Sequence, residues 1–335
     1  MSTVTHTDED LATTLGPPAA PVSAPRRTDP GRTDPGRGWR PSLPESAASR
    51  AALFFIAPSL LVIGAFFFLP VAAALALSLT DFDLYALADP GTARFVGLKN
   101  YVELAGDPDF WQALRNTAYF VVVGGPLSVA VSLGAALLVS SKLTRWKGLW
   151  RTVFFAPVVT TLVAVAVVWR YLYNAEYGLL NSALGAVGIE GVDWLGDPAW
   201  AMPAIIGLAV WKNFGYNMII FVAGLAGVPE ELYEAAELDG AGWWARFRHI
   251  TVPELAPTFL FVGVITMIGY FQLFAEPYVM TEGGPLRATV SVVYLMYEEG
   301  FKWWNLGYAS AVAFVLFALM MVGTLIQLRL QRSDP

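Results

Sequence analysis

No cysteine occurs among the 335 residues, which excludes disulfides, thiolate metal sites and thiol chemistry. Histidine is nearly absent as well. His6 sits in a polar head and His249 in a basic segment, and the two lack the spacing with which a helix offers a pair of ligands to one metal. Charged residues make up only 14% of the chain, against roughly 25% in soluble domains. There is no Gly-x-x-x-x-Gly-Lys-Ser/Thr loop to cradle a nucleotide phosphate. The long uncharged runs hold neither a histidine nor an acidic dyad, so a nucleophile–base or metal constellation for a membrane enzyme is missing. The net charge of −6 decides little, because in such a chain the side on which charges lie matters more than their sum. No nucleic-acid partner is expected.

What the chain has in quantity is apolar surface: 56% of its residues are hydrophobic, and lipid is the simpler solvent for them. Residues 1–50 differ from the rest. They are rich in Pro, Gly, Thr and Arg and nearly repeat the stretch Arg-Thr-Asp-Pro-Gly-Arg, so they read as a disordered cytoplasmic tail without the apolar run of a signal peptide. Beyond them lie six weakly charged runs, at 51–80, 116–141, 152–169, 198–229, 255–275 and 303–328. About 20 apolar residues cross the hydrocarbon as a helix. The third run is short and is extended by Tyr171, Leu172 and Tyr173. The runs lack the period-two alternation of barrel strands. The expected fold is therefore all-α, a polytopic membrane protein of six transmembrane helices. The first helix occupies 51–80, an extracytoplasmic loop 81–115, and a core with the other five helices 116–330. With the amino terminus inside, the inner segments carry fourteen Lys and Arg and the outer segments six, which places both termini in the cytoplasm. The outer aromatics Tyr101, Phe110, Trp111, Trp194, Trp200, Trp303 and Trp304 are expected to form an interfacial belt.

Between the fourth and fifth runs, residues 228–257 read as two short helices. Pro229 suits the first helical position, and Glu230 and Glu231 complement the helix dipole in the first turn. Asp239 and Gly240 supply a stop. Trp243, Trp244, Phe247 and Ile250 then recur at helical spacing as one apolar stripe, which Pro253 and Pro257 end. Ala235 and Ala236 leave a smooth surface beside the acids Glu234 and Glu237. On physical grounds alone, an amphipathic hairpin resting on the membrane and a hairpin seated in a partner's groove are equally good readings.

The stretch Glu234-Ala235-Ala236-x-x-Asp239-Gly240-Ala241, followed by Phe247, Ile250, Pro253, Leu255 and Pro257, resembles the EAA loop of the membrane subunits of binding-protein-dependent ABC importers. Four further stretches resemble the carbohydrate branch of that family, of the MalF and UgpA type. They are Phe95-Val-Gly-Leu-Lys-Asn-Tyr101 with Phe110-Trp111 and Asn116-Thr117, then Arg151-Thr-Val-Phe-Phe-Ala-Pro157, then Tyr177-Gly-Leu-Leu-Asn181, and finally Phe274-Ala-Glu-Pro-Tyr-Val-Met-Thr-Glu-Gly-Gly-Pro285. The similarity spans nearly everything after residue 50. The large outer insertion and additional amino-terminal spans of some members are lacking.

The resemblance implies a type I importer permease in the bacterial plasma membrane. Its partners would be a second homologous permease, two cytoplasmic ABC ATPase subunits, and an extracellular solute-binding lipoprotein that delivers a mono- or oligosaccharide. Magnesium-ATP would be bound and hydrolysed by the ATPases, with no cofactor in this chain. Glu234, Ala235, Ala236, Asp239, Gly240 and Ala241 would form the ATPase-coupling element, with Glu234 as its charged contact. Substrate would meet Asn213, Tyr216 and Asn217 on the fourth span and Tyr270, Gln272 and Glu276 at the end of the fifth. Polar groups at membrane depth usually face a cavity, although they also hydrogen-bond neighbouring helices. A Lys212–Glu276 ion pair is conceivable. A glycerol phosphate is a neighbouring substrate choice. The rival reading is a secondary transporter or channel not coupled to ATP; against it stand the lack of an inverted repeat and of a pair of broken helices.

Overall fold

A computed structural model describes residues 47–331. The expected tail of residues 1–50 lies outside them except for its last four positions, as does Arg332. The chain divides into two units, residues 1–61 and 62–335, each described by itself. In the first, the described residues open α1 (Ala47–Ile63), and every side chain from Leu53 to Leu61 is exposed. A helix that is apolar all round and uncovered needs lipid or protein about it.

The regular secondary structure among the described residues of the second unit is helical, apart from a single isolated bridge between Thr80 and Phe95. It runs through α2 (Leu69–Ser78), α3 (Leu84–Ala88), α4 (Lys99–Gly106), α5 (Pro108–Tyr119), α6 (Gly125–Ser140), α7 (Lys147–Val159), α8 (Leu162–Leu172) and α9 (Leu179–Ala186). It continues with α10 (Pro198–Ala226), α11 (Glu230–Leu238), α12 (Trp243–Arg246), α13 (Val252–Glu254), α14 (Ala256–Phe271), α15 (Ala275–Met280), α16 (Val292–Tyr297) and α17 (Leu306–Gln331). By length and composition, four unbroken helical stretches suffice to cross a membrane: Leu53–Ser78, Pro108–Ser140, Pro198–Ala226 and Leu306–Arg329. Two bent pairs complete the six. α7 and α8 meet at 97°, and the segment Trp243–Glu254 meets α14 at 68°.

These bends change three expectations. The third span is broken at Thr160–Thr161, both in extended conformation. The hairpin's second arm does not stop at Pro253, which lies inside the helical turn of α13; the direction changes at Leu255. The absence of broken helices, used above against a secondary transporter, does not hold for this chain.

Prolines shape the spans without ending them. Wide π-type turns occupy Gly64–Phe68, Phe120–Gly124 and Phe247–Thr251, each finishing two residues before a proline, at Pro70, Pro126 and Pro253. Proline has no N–H to donate and its ring crowds the carbonyl four residues earlier, and the preceding turn relieves both by widening.

In the second unit, α10 is the central helix, packing along α6 and α7, while α17 packs on α2 and α14. Small residues permit these approaches, as in membrane bundles generally. A methyl at Gly215 would collide with the Phe154 carbonyl of α7, and one at Gly263 with Gln327 of α17.

Several motifs resolve into hydrogen bonds that close the ends of spans. Asn100 donates to the carbonyls of Ser78 (2.8 Å) and Thr80 (2.9 Å), and Tyr101 bonds Ser78 (2.8 Å). These groups satisfy the end of α2, where carbonyls lack helical partners. Asn116 donates to the carbonyls of Arg287 and Val290, both at 2.9 Å, and Thr117 accepts from Val292 N. The Gly-Gly-Pro turn is thereby fastened to α5. Buried Asn181 uses its whole amide, donating to Ala175 and Val192 and accepting from Val192 N and the Trp194 indole. Trp194 and buried Phe110 are thus packing residues, whereas exposed Trp303 and Trp304 suit an interfacial belt.

Candidate functional site

The six residues expected to meet substrate line one cavity of about 650 Å³ between α10 and the end of α14. Asn213, Tyr216 and Asn217 come from α10. Tyr270 closes α14, Gln272 follows it, and Glu276 opens α15. Lys212, Phe120 and Phe274 also line the space.

The residues differ in what they leave free. Asn217 is buried and donates to Thr266 Oγ1 at 2.9 Å, joining α10 to α14. Asn213 donates to Ala209 O at 3.0 Å, one turn back on its own helix. Both keep their carbonyl oxygens as acceptors. Tyr216 and Gln272 are exposed to the cavity, and Glu276 is buried. Tyr270 is buried with its ring stacked on Phe120 (centroids 4.7 Å apart, planes 29° apart). Its hydroxyl and that of Ser128 are both buried and lie close enough to interact with each other, though not in standard hydrogen-bond geometry, and neither has another partner.

Lys212 does not pair with Glu276. Its ammonium donates to the Val158 carbonyl at 3.0 Å, at the end of α7 where the third span breaks. Orphan carbonyls and the negative end of a helix dipole both favour a cation there.

Two contributors escaped the sequence reading. Phe120 lies in the wide turn ahead of Pro126, and Gly124 in the same turn gives Tyr270 its seat, since a methyl there would lie 2.8 Å from the ring. Pro126 is the sequence feature that marks this turn. Phe274 opens one of the stretches that carry the family resemblance, but it is not read there as a cavity residue.

A second cavity, about 830 Å³, lies under the hairpin. It is walled by the end of α6, the end of α10, α11 and α12, and includes Lys142, Glu234, Glu237 and Arg246. α11 begins at Glu230, with Pro229 as the N-cap and not the first helical residue. Its end is a Schellman motif. Ala241 N donates to Ala236 O (2.8 Å), Gly240 N to Glu237 O (3.0 Å), and Gly240 takes φ +77°. Such an end favours glycine. Lys142 bonds Glu230 at 2.8 Å, and Arg246 bonds Glu237 at 3.1 Å. The hydrogen bond and charge of Lys142 hold the Glu230 carboxyl below its ordinary value, and Glu230 raises the ammonium in return. Ala235 and Glu231 are exposed on α11, as is Leu238. Ala236 is half-buried. Glu234 is exposed and borders the recess, while Asp239 forms the C-cap that leads into Gly240.

Among the described residues no group of three or more His, Asp or Glu side chains is arranged to hold a metal.

Residues 128–333 match the family model of the binding-protein-dependent transport system inner membrane component. The chain is 37% identical over 278 residues to the probable ABC transporter permease protein YurN of Bacillus subtilis (strain 168), covering 82% of this chain and 94% of that one. It is 36% identical to the lactose transport system permease protein LacF of Rhizobium radiobacter, again over 278 residues, with 82% and 91% covered. Its fold is similar to a chain in the crystal structure of a bacterial ABC transporter involved in import of the acidic polysaccharide alginate. That likeness has a TM-score of 0.73 at 21% identity and covers 85% of this chain and 97% of that one.

Proposed function

The chain belongs to the family of binding-protein-dependent transport system inner membrane components, and on that premise we propose that it forms half of the membrane pathway of an ATP-driven carbohydrate importer. The observation that carries the reading is geometric. α10 and α14, which wall the 650 Å³ cavity, are also the two helices joined by the α11–α13 hairpin. A movement of the hairpin therefore acts on both walls at once. From Leu255 to Tyr270 the lever is fifteen residues, about 22 Å at 1.5 Å per residue.

The cavity suits a neutral polyol. Amide and phenol groups supply donors and acceptors, and aromatic faces cover apolar C–H surfaces. Substrate contacts are assigned to Asn213, Tyr216, Asn217, Tyr270, Gln272 and Glu276. The glycerol phosphate alternative loses its main attraction, because the Lys212 ammonium is already engaged by a helix end. Relatives named for lactose and arabinooligosaccharides support a sugar.

ATP, with magnesium, is bound and hydrolysed by two separate cytoplasmic ATPases. They grip Glu234, Ala235, Ala236, Asp239, Gly240 and Ala241, and a second, homologous permease completes the pathway. An extracellular lipoprotein delivers the sugar. In a bacterial plasma membrane the hairpin and both termini face the cytoplasm, as the distribution of Lys and Arg favours.

Reconstitution of the four-component complex in vesicles tests this. Sugar uptake is expected to require ATP, the binding protein and the ATPase together. Ion-gradient-driven uptake by this chain alone would instead establish a secondary transporter.

A further inference from the structure

Five aromatic rings cluster on the side of the cavity where α14 ends: Phe274 and Tyr278 meet buried Tyr294 at 6.1 Å and Tyr297 meets it at 6.5 Å, and these three with Phe301 form an outer row. Phe274, a cavity-lining residue, stacks on Tyr278 (5.3 Å, 25°) and meets Tyr297 at 5.2 Å. Tyr278 and Tyr297 pack edge to face at 5.4 Å, and Tyr297 stacks on Phe301 (5.7 Å, 24°). The rings come from α15, α16 and the wide turn Glu298–Lys302, so three elements converge on one row. The row is not sealed: Tyr278 is 40% exposed and Phe301 64%. At its far end the charges are balanced, because Glu298 is bridged by both Arg287 and Lys302 at 3.2 Å. The neighbouring Trp303 and Trp304 are also exposed but make no ring contact with the row.

An interfacial anchor needs single rings at one depth. A row with one end in a polar cavity, stacked at Phe274–Tyr278 and at Tyr297–Phe301 with a crossing of 80° between them, and partly open at Tyr278 and Phe301, has a different use. The C–H faces of a pyranose dock on the electron-rich face of an aromatic ring, and successive rings about one ring-width apart allow a sugar to move without losing all of its contacts. We infer that Tyr278, Tyr297 and Phe301 form an outer carbohydrate track, which holds sugar released from the binding protein and passes it over Phe274 into the cavity. The inference rests on the carbohydrate reading of that cavity.

The test uses the complete transporter with its binding protein, in vesicles, offered radiolabelled glucose, lactose and maltotriose. Sugar moved and ATP hydrolysed are both measured. In Tyr278→Leu and Phe301→Leu the apolar bulk remains while the aromatic face is lost. Loss of one stacking contact is worth about 0.5–1.5 kcal/mol, so sugar moved per ATP is expected to fall about two- to tenfold. Binding-protein-stimulated hydrolysis stays at the wild-type rate, the trisaccharide suffers more than the monosaccharide wherever both are carried, and Phe301→Trp restores the ratio. Leucine variants with an unchanged ratio overturn the track and leave the cavity reading standing; so does loss of uptake and hydrolysis in parallel, which marks a docking or packing role. A wild-type complex that moves none of these sugars, nor any other carbohydrate its binding protein retains, overturns both.

Discussion

Tyr270 joins two physical roles that a single substitution separates. Its ring is fixed by Phe120 and by the space over Gly124, while its hydroxyl has only the Ser128 hydroxyl beside it. Tyr270→Phe keeps the stacking and removes only a weak contact with the Ser128 hydroxyl, so thermal stability in detergent is expected to be nearly unchanged. If the hydroxyl bonds sugar, uptake falls by up to about tenfold, one hydrogen bond of 0.5–1.5 kcal/mol. Wild-type uptake in that variant would remove Tyr270 Oη from the substrate contacts. Gly240 gives a sharper case. Its φ of +77° costs an ordinary L-residue about 1–2 kcal/mol, and asparagine less. Gly240→Val and Glu234→Lys are expected to abolish uptake with membrane insertion intact, and Gly240→Asn to retain most of it. Polar residues of this site stood out in the sequence because Asn213, Asn217, Gln272 and Glu276 interrupt apolar runs. Phe120 and Gly124 did not, since their importance comes from a turn widened by Pro126, a tertiary consequence that leaves no chemical contrast at the residues themselves.

Helices show the same division. Composition marked the six apolar runs, because burial in lipid demands a continuous apolar length, but it missed the amphipathic start of the second helical stretch, which begins at Pro108. It was silent on direction. The 97° break between α7 and α8 falls at two threonines that look no different from others in the run, and it is stabilised from another element by Lys212 on Val158. Lys212→Met is therefore expected to increase amide hydrogen exchange at 158–162, beside the cavity, in reconstituted protein, whereas Lys212→Arg, which keeps a donor, does so less. On the hairpin, Lys142 ties the end of α6 to the first turn of α11 through Glu230. Both side chains are exposed, so the tie adds little to stability, but it sets how the hairpin stands over the recess. Lys142→Glu and Glu230→Lys are each expected to lower ATP-coupled uptake, and the pair together to recover it. Independent, unrecovered losses would show that the tie does not position the hairpin. The sign of the pH effect follows from the lowered Glu230 carboxyl. The tie is complete at neutral pH and is lost only as pH drops through that depressed value, below the ordinary 4.5.

For the whole molecule the decisive question is which end of the bundle meets the ATPase. The substrate cavity is walled by the middle of α10 and the end of α14, and the recess under the hairpin by the end of α10 with α11. The aromatic row and the Gly-Gly-Pro turn lie where α14 ends, and the hairpin lies where α14 begins. Glu282, Leu286 and Arg287 near that turn all hold positive φ, a cluster of backbone strain of the kind found where a loop is shaped for contact. Because the chain contains no cysteine, each single-cysteine variant reports one position with no background. Leu286 is 85% exposed and Leu238 90%. In intact cells, Leu286→Cys is expected to react with an impermeant maleimide. Leu238→Cys is expected to react only after the membrane is opened, and then to become protected when the partner ATPase is bound. Labelling of Leu238→Cys from outside would invert the topology and detach the hairpin from any cytoplasmic motor. Equal labelling with and without the ATPase would leave the orientation in place but move the docking face away from the exposed side of α11. The two outcomes bear on different links, the first on how charge orients the spans and the second on how α11 transmits force to α10 and α14.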